Sequence, residues 1–431
     1  MSFPGVLSLL GMTINHFIDG VWVGKIGPAA LAAIAPAAFT SWIVFSIVEV
    51  MPVGLLALIS RFYGERNYAD ATGSASNVLK FVILISIILA IAGAIFSKYV
   101  FMAIGVSPQV VKLGNEYLIV FSLGLPAIFI SEVIYSILRA VGDTTTPMKL
   151  TLTAISVNMI FDPLLIFGIG PFPQWGMAGA ALATVMGYYV ALALALEKVA
   201  GGVLPFGILS DRRLAMDFRL LWRVARIGIP ISISGIVFSL VYLALSRVAS
   251  PFGDFAVASF RVGQLVESIS YMVCFGFAQA TASLVGQNLG AKLPDRAQKA
   301  ARMAQVVISG FTLCLSFILY YFAWPITSIF TTDLPTTTAS VHYLQIIALS
   351  QIFMGFEVVL EGAFSGAGDT FPPMVVSIVG TLLRIPLAII FTGPLGMGYQ
   401  GLYWAITVST ILKGIVVAIW FSLGRWKTKQ V

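Results

Sequence analysis

Apolar residues in this chain do not alternate with polar ones. They come in long runs, each near the roughly 20 residues that a helix needs to cross the hydrocarbon of a bilayer. Twelve runs can be read, over residues 3–24, 28–59, 78–105, 115–140, 147–169, 176–198, 221–248, 254–286, 301–331, 340–366, 372–393 and 398–424. None has the in-and-out alternation of a porin strand. Because lipid offers the backbone no hydrogen-bond partners, each run must satisfy its own amides, as a helix does. The pattern therefore predicts an all-α integral membrane protein with twelve transmembrane helices. The first run has no basic leader or small-residue cleavage site and reads as a retained helix.

Composition agrees: 59% of the residues are hydrophobic and 10% charged, more apolar surface than a water-soluble core can hide. The net charge of +7 matters through its placement. Loops after even-numbered runs, with the C-terminus, carry most of the lysine and arginine, whereas the opposite side has only Lys25, Lys98, Lys112 and Arg247. Basic loops stay in the cytoplasm, so the chain reads as a multi-pass protein of the cell (plasma or inner) membrane with both termini cytoplasmic. The charge is then a topology signal, and no nucleic-acid partner is expected. Cys274 and Cys314 fall inside predicted spans, as packing residues and not as a disulfide framework or metal site.

The long basic segment from Glu197 to Arg223 lies halfway along the chain and points to a repeat. A shift of 226 residues lays Pro4 on Pro230, Gly27 on Gly253, Gly64 on Gly290, Ala71 on Ala297, and GDTTTPM (142–148) on GDTFPPM (368–374). The register then slips to 222, pairing GMAGA (176–180) with GYQGL (398–402). The expected organisation is an N-terminal lobe at 1–198, a cytoplasmic linker at 199–220 and a C-terminal lobe at 221–431. Six spans per half is an even number, so the halves are parallel repeats, the build of an alternating-access carrier. A duplicated channel or scaffold stays open on these grounds.

The ionisable residues inside the runs are Asp19, Glu49, Glu132, Asp162, Glu267, Glu357, Glu361, Arg261, Arg384 and Lys413. A carboxylate at a helix centre costs about 2.5–3.5 kcal/mol on insertion scales, and such groups mark ion or substrate paths by default. Asn158 and Asp162 in NMIFDPLLIF are one turn apart on one face, and Pro163 removes a backbone hydrogen bond beside them. In TINHFIDG, Asn15 and His16 share a face with Asp19. If the first and fifth spans are neighbours, two carboxyls meet in a poorly solvated pocket that can hold a proton or, through the oxygens of Asp19, Asn158 and Asp162, Na⁺. His16 titrates near neutrality and is a secondary candidate, as are Asn15, Glu132, Glu357, Glu361 and Arg261. For these acids, pairing with Arg261 or Arg384 competes with a transport role. Lys413 has no partner that the sequence identifies. The GDT blocks read as hairpins in which glycine and aspartate end one helix and proline opens the next.

Together, Pro4, Asp19, the GKIG after the first span, NMIFDPLLIFG, the paired GDT hairpins, SLVGQNLGAK (283–292) and LLRIPLA (382–388) resemble the MATE (multidrug and toxic compound extrusion) transporters, most closely their prokaryotic DinF-like branch. The resemblance covers nearly the whole chain. It implies two pseudo-symmetric six-helix lobes forming a V-shaped central cleft, and export of cationic or amphipathic organic compounds in exchange for H⁺ or Na⁺. It also implies a coupling-ion site in the N-terminal lobe made of Asp19, Asn158 and Asp162 with Tyr117 and Thr184, and a bend of the first helix at Pro4. The helix-seven acid of the NorM-type members has no counterpart in ISISGIVFSLVYLALSR.

No GxxxxGK[ST] loop occurs, so an ion gradient and not ATP drives the cycle expected of this chain, with no cofactor beyond the coupling ion. The expected partners are a small drug-like molecule and the bilayer, the protein acting as a monomer and not as an enzyme. The closest rival is a lipid-linked oligosaccharide flippase of related fold, which needs cationic side chains such as Arg261, Arg384 and Lys413. An intramembrane prenyl transferase wants clustered aspartates for Mg²⁺, and no DDxxD is present.

Overall fold

The computed structural model of the chain describes residues 2–104, 106–208, 216–331 and 333–429. Regular structure among them is helical: α1 (Ser2–Gly24), α2 (Pro28–Val48), α3 (Val50–Gly64), α4 (Tyr68–Ile104), α5 (Pro108–Ala140), α6 (Thr145–Phe167), α7 (Gly176–Ala200), α8 (Phe218–Ala249), α9 (Asp254–Gly290), α10 (Pro294–Tyr321), α11 (Ala323–Ser328), α12 (Leu334–Ala348), α13 (Gln351–Ala367), α14 (Phe371–Leu382), α15 (Arg384–Thr392) and α16 (Gln400–Ser422).

Four of the expected spans are divided. Proline explains three of the divisions, because its ring removes the donor for the carbonyl four residues earlier. α2 ends at Val48 ahead of Pro52, α10 at Tyr321 ahead of Pro325, and α14 at Leu382 ahead of Pro386. The fourth division, between α12 and α13, bends by 59° without a proline. The carbonyls near that bend are met by hydroxyls: Thr407 Oγ1 donates to Ile346 O at 3.2 Å, Ser350 Oγ to Ile347 O at 3.0 Å and Ser316 Oγ to Ala348 O at 2.8 Å. Such replacement is what lets a helix break at membrane depth. Eleven segments among the described residues are long and apolar enough to cross a membrane, and the α12–α13 pair makes a twelfth. The exposed row Ile83, Ile87, Ile91 and Ile95 on α4, flanked by Leu84 and Ile88, is the kind of surface that lipid covers.

The chain divides into two compact units, residues 3–228 and 229–431. The division falls inside α8 and not in the 199–220 segment. Gly54 packs on Val224 and Gly228 on Val50, backbone against backbone where neither could carry a side chain, so the first turns of α8 join α3. Asn77 on α4 holds the approach to α8, its Nδ2 donating to Asp217 O at 2.9 Å and its Oδ1 accepting from Asp217 N at 3.1 Å.

The halves repeat in backbone detail. Arg66 (φ 59) and Lys292 (φ 60), 226 residues apart, are the non-glycine residues at positive φ among those described, and Gly142 (φ 97) and Gly368 (φ 75) turn the two GDT hairpins. In the first hairpin Asp143 Oδ1 accepts from Thr145 N at 3.0 Å and Thr146 N at 2.9 Å. In the first unit Val23, Ala33, Val110, Ile166 and Ala180 bring α1, α2, α5, α6 and α7 together. The second is centred on Tyr343 and Tyr403, with Leu245, Phe260 and Ala388.

Candidate functional site

α1 and α6 are neighbours. Gly11 leaves room for Leu152 and Ile155, which a Cβ would meet at 3.1 and 3.2 Å, and Trp22 packs edge-on against Phe167 with centroids 6.1 Å apart. Each helix carries the same device one turn long. On α1, Asn15 Nδ2 donates to Asp19 Oδ2 at 3.2 Å; on α6, Asn158 Nδ2 donates to Asp162 Oδ1 at 3.2 Å. The Asp19 and Asp162 carboxyls lie within hydrogen-bonding reach of one another. Asn158 and Asp162 are 3% and 1% exposed and Asp19 is half-buried, so water screens the pair only from the Asp19 side.

An amide that turns its NH₂ to a carboxylate points its oxygen elsewhere. Asn15 Oδ1 and Asn158 Oδ1 are buried and accept no hydrogen bond among the described residues, and Asp162 Oδ2 has no N–H or O–H donor there. Unused acceptors beside a carboxyl pair suit a proton or a bare cation, and they are costly if nothing ever fills them. Among the described residues no cluster of three His, Cys, Asp or Glu side chains forms, so a cation here would be held by amide and carboxylate oxygens.

α7 completes the cluster. Thr184 Oγ1 accepts from Asn158 Nδ2 at 3.1 Å and donates to Ala180 O at 3.1 Å, fixing the amide's rotation. Tyr117 on α5 is an electrostatic neighbour of both aspartates. The five residues Asp19, Asn158, Asp162, Tyr117 and Thr184 are thus brought together from four helices. Tyr188, one turn beyond Thr184 and a neighbour of Asp19, joins them; sequence reasoning missed it, although its i,i+4 spacing from Thr184 was a usable signal. Tyr117 stacks on Phe121 at 6.0 Å and 11°, and Phe121 lines an apolar cavity of about 240 Å³ with Val44, Leu89, Phe96, Leu118 and Leu125.

The secondary candidates are scattered. The side chain of His16 lies outside the described residues. α1 runs continuously through Pro4, which sits in the first turn, where a missing N–H breaks no intrahelical bond; its carbonyl accepts from Ser8 Oγ at 3.1 Å. Glu132 pairs with Arg139 at 3.4 Å, with Glu49 as a further electrostatic neighbour. Arg261 is exposed and forms no ion pair among the described residues, so the pairing of Glu267 with Arg261 is not found; Glu267 instead accepts from Tyr343 OH at 2.8 Å. Lys413 does have a partner: its Nζ lies 2.6 Å from Glu357 Oε1, with Glu361 one turn further along α13.

Comparison with known proteins follows the same lines. The MatE family model matches twice, over residues 4–164 and 230–390, the second match displaced by the same 226 residues as the internal repeat. An FAD transporter of Shewanella oneidensis is 28% identical, covering 96% of this chain and 91% of that one. A probable multidrug resistance protein NorM of Thermotoga maritima is 25% identical, covering 96% and 89%. Among solved structures, a MOP superfamily transporter from Pyrococcus furiosus superposes with a TM-score of 0.93 at 22% identity over 100% of this chain and 96% of that one. A Vibrio cholerae MATE transporter gives 0.92 at 20% identity over 100% and 97%. With both halves matched by one model, the chain belongs to the MatE family of multidrug-efflux transporters and is a multi-pass membrane protein, not an enzyme.

Proposed function

We propose that this chain is a secondary active exporter that expels cationic or amphipathic organic compounds in exchange for H⁺ or Na⁺, with the coupling ion held by Asp19, Asn158 and Asp162. The observation that carries the reading is the approach of the Asp19 and Asp162 carboxyls within hydrogen-bonding reach, next to the unused oxygens Asn15 Oδ1 and Asn158 Oδ1. With an ion bound, the cluster is compensated. Without it, two carboxylates face one another in a poorly screened interior, and the lowest-energy responses are to take up a cation or to move α1 away from α6.

Tyr117 ties the ion to the cargo. It faces the aspartates and stacks on Phe121, a wall of the 240 Å³ cavity. That volume is below the roughly 300–1,000 Å³ of ordinary ligand pockets, so it suits the apolar end of an amphipathic molecule and not a whole drug. One charge crossing 100 mV supplies about 2.3 kcal/mol, more than a tenfold gradient of a neutral cargo. The test is efflux of two fluorescent amphipathic dyes, one cationic and one anionic, from proteoliposomes under a pH gradient and then under a Na⁺ gradient alone. Drive by either supports the reading; passive leak unaffected by both gradients sinks it.

The flippase reading needs uncommitted cations. Lys413 is engaged by Glu357, which leaves Arg384 and Arg261, neither in an ion pair among the described residues, as its support.

A further inference from the structure

The shift of 226 residues lays Arg384 on Asn158. α7 rests on α6 through Gly179 against Leu165, and α16 rests on α15 through Gly401 against Phe391. The first pair of partners, Leu165 and Phe391, differs by 226 and the second, Gly179 and Gly401, by 222, so Arg384 occupies Asn158's place while the position matching Thr184 is Ile406. The longer arginine reaches one turn further, where Nη2 donates to Thr410 Oγ1 at 3.0 Å and Nε to Ser409 Oγ at 3.0 Å. The same architectural position thus carries an amide in one half and a guanidinium in the other.

Arg384 is 3% exposed. Its guanidinium carbon lies 5.7 and 5.3 Å from the ring centroids of Phe238 and Tyr242, and the Tyr242 hydroxyl also approaches it. Glu267, Glu357 and Lys413 are its charged neighbours, but none forms an ion pair with it among the described residues: Glu267 accepts from Tyr343 OH at 2.8 Å, and Glu357 is paired with Lys413 at 2.6 Å. Nη1 has no hydrogen-bond partner of acceptable geometry among the described residues. Gln351, fully buried at the start of α13, repeats the pattern: its Oε1 accepts from Ser270 Oγ at 2.6 Å while its Nε2 has no acceptor. Ser270 lies on α9 one turn from Glu267. The N-terminal site is left with acceptors that suit a cation; these C-terminal groups are left with donors.

We propose that the C-terminal half holds a site for an anionic group of the cargo, a carboxylate or phosphate whose oxygen is received by Arg384 Nη1 beside the Phe238 and Tyr242 rings. A planar guanidinium whose Nε and Nη2 are satisfied by neutral hydroxyls, and whose Nη1 has no well-aligned acceptor among the described residues, is built for an oxyanion. The proposal rests on the carrier reading above and narrows its cargo to molecules that join an apolar body to an acid.

Equilibrium binding to the purified full-length chain in detergent tests it, since no gradient is needed. The probes are 1-pyrenebutyrate and its uncharged methyl ester, followed by fluorescence. The acid should bind at least tenfold more tightly than the ester, Arg384→Gln should remove that preference, and Arg384→Lys should keep part of it. Equal binding of acid and ester to the unaltered chain overturns the proposal, as does a preference that survives in a folded Arg384→Gln variant. Should that variant not fold, competition decides: displacement of pyrenebutyrate by phenyl phosphate points to a free organic anion, displacement by short-chain phosphatidic acid alone points to a lipid headgroup, and displacement by neither overturns the site. An intact acid preference with no gradient-driven flux would count against the coupling reading and leave this one standing.

Discussion

Lys413 Nζ lies 2.6 Å from Glu357 Oε1, and the two side chains are 5% and 7% exposed. Removing one partner of such a pair strands the other charge, at a cost of about 3–5 kcal/mol, whereas replacing both with apolar residues is often neutral. Lys413→Met should therefore lower the thermal midpoint of the purified protein sharply, and Lys413→Met with Glu357→Leu should recover most of the loss. If the double variant is no better than the single one, the pair contributes something other than mutual neutralisation.

The carboxyl pair in the other half is expected to behave differently. Asp19→Asn and Asp162→Asn each replace a group that must exchange an ion with one that cannot, while preserving size. Insertion and melting should stay near those of the parent, and gradient-driven efflux in proteoliposomes should fall at least a hundredfold. Near-parental efflux in either folded variant would remove that residue from the coupling site.

Much of this was readable from residue order, and the exceptions have physical causes. Asn158 and Asp162 announced themselves because a carboxylate in an apolar run needs compensation and because i,i+4 spacing is geometry. The helix breaks after Val48, Tyr321 and Leu382 were also available, each four residues before a proline, yet the runs 28–59, 301–331 and 372–393 read as single spans because hydropathy is blind to backbone hydrogen bonding. The bend between α12 and α13 had no such marker; Ser316 and Thr407, distant in sequence, supply the hydroxyls that serve it. Lys413 and Glu357 were both visible as misfits, but 56 residues and two helices separate them, and nothing local says they meet. Arg384 was visible as a misfit too, but its correspondence to Asn158 emerges only when the 226-residue shift is carried through that position.

Thr184 offers a graded test of the cation site. Its hydroxyl accepts from Asn158 Nδ2 at 3.1 Å and orients the amide whose oxygen is left free. Thr184→Val keeps the shape and deletes one hydrogen bond, worth about 1 kcal/mol, so the coupling-ion concentration for half-maximal efflux should rise roughly fivefold. Thr184→Ser should restore it. A change in maximal rate with no change in ion dependence would mean that Thr184 serves α7 and not the ion.

The packing of α13 on α9 gives the last prediction, made on two glycines that differ only in surroundings. Gly362 and Gly366 sit against the Ala278 and Ala282 backbone, so close that a Cβ at either would overlap a carbonyl oxygen. Small residues four apart on both helices let the backbones touch, which is how helices associate where lipid removes the hydrophobic drive between them. Gly73, on α4, has open space where its Cβ would go. Gly366→Ala has no flexible atom to push aside and must separate the helices, so it should reduce the yield of folded protein and its melting temperature. Gly73→Ala should be neutral or raise stability by about 0.5–1 kcal/mol, because alanine restricts the unfolded chain and suits a helix interior. Equal effects from the two substitutions would show that the α9–α13 contact yields easily.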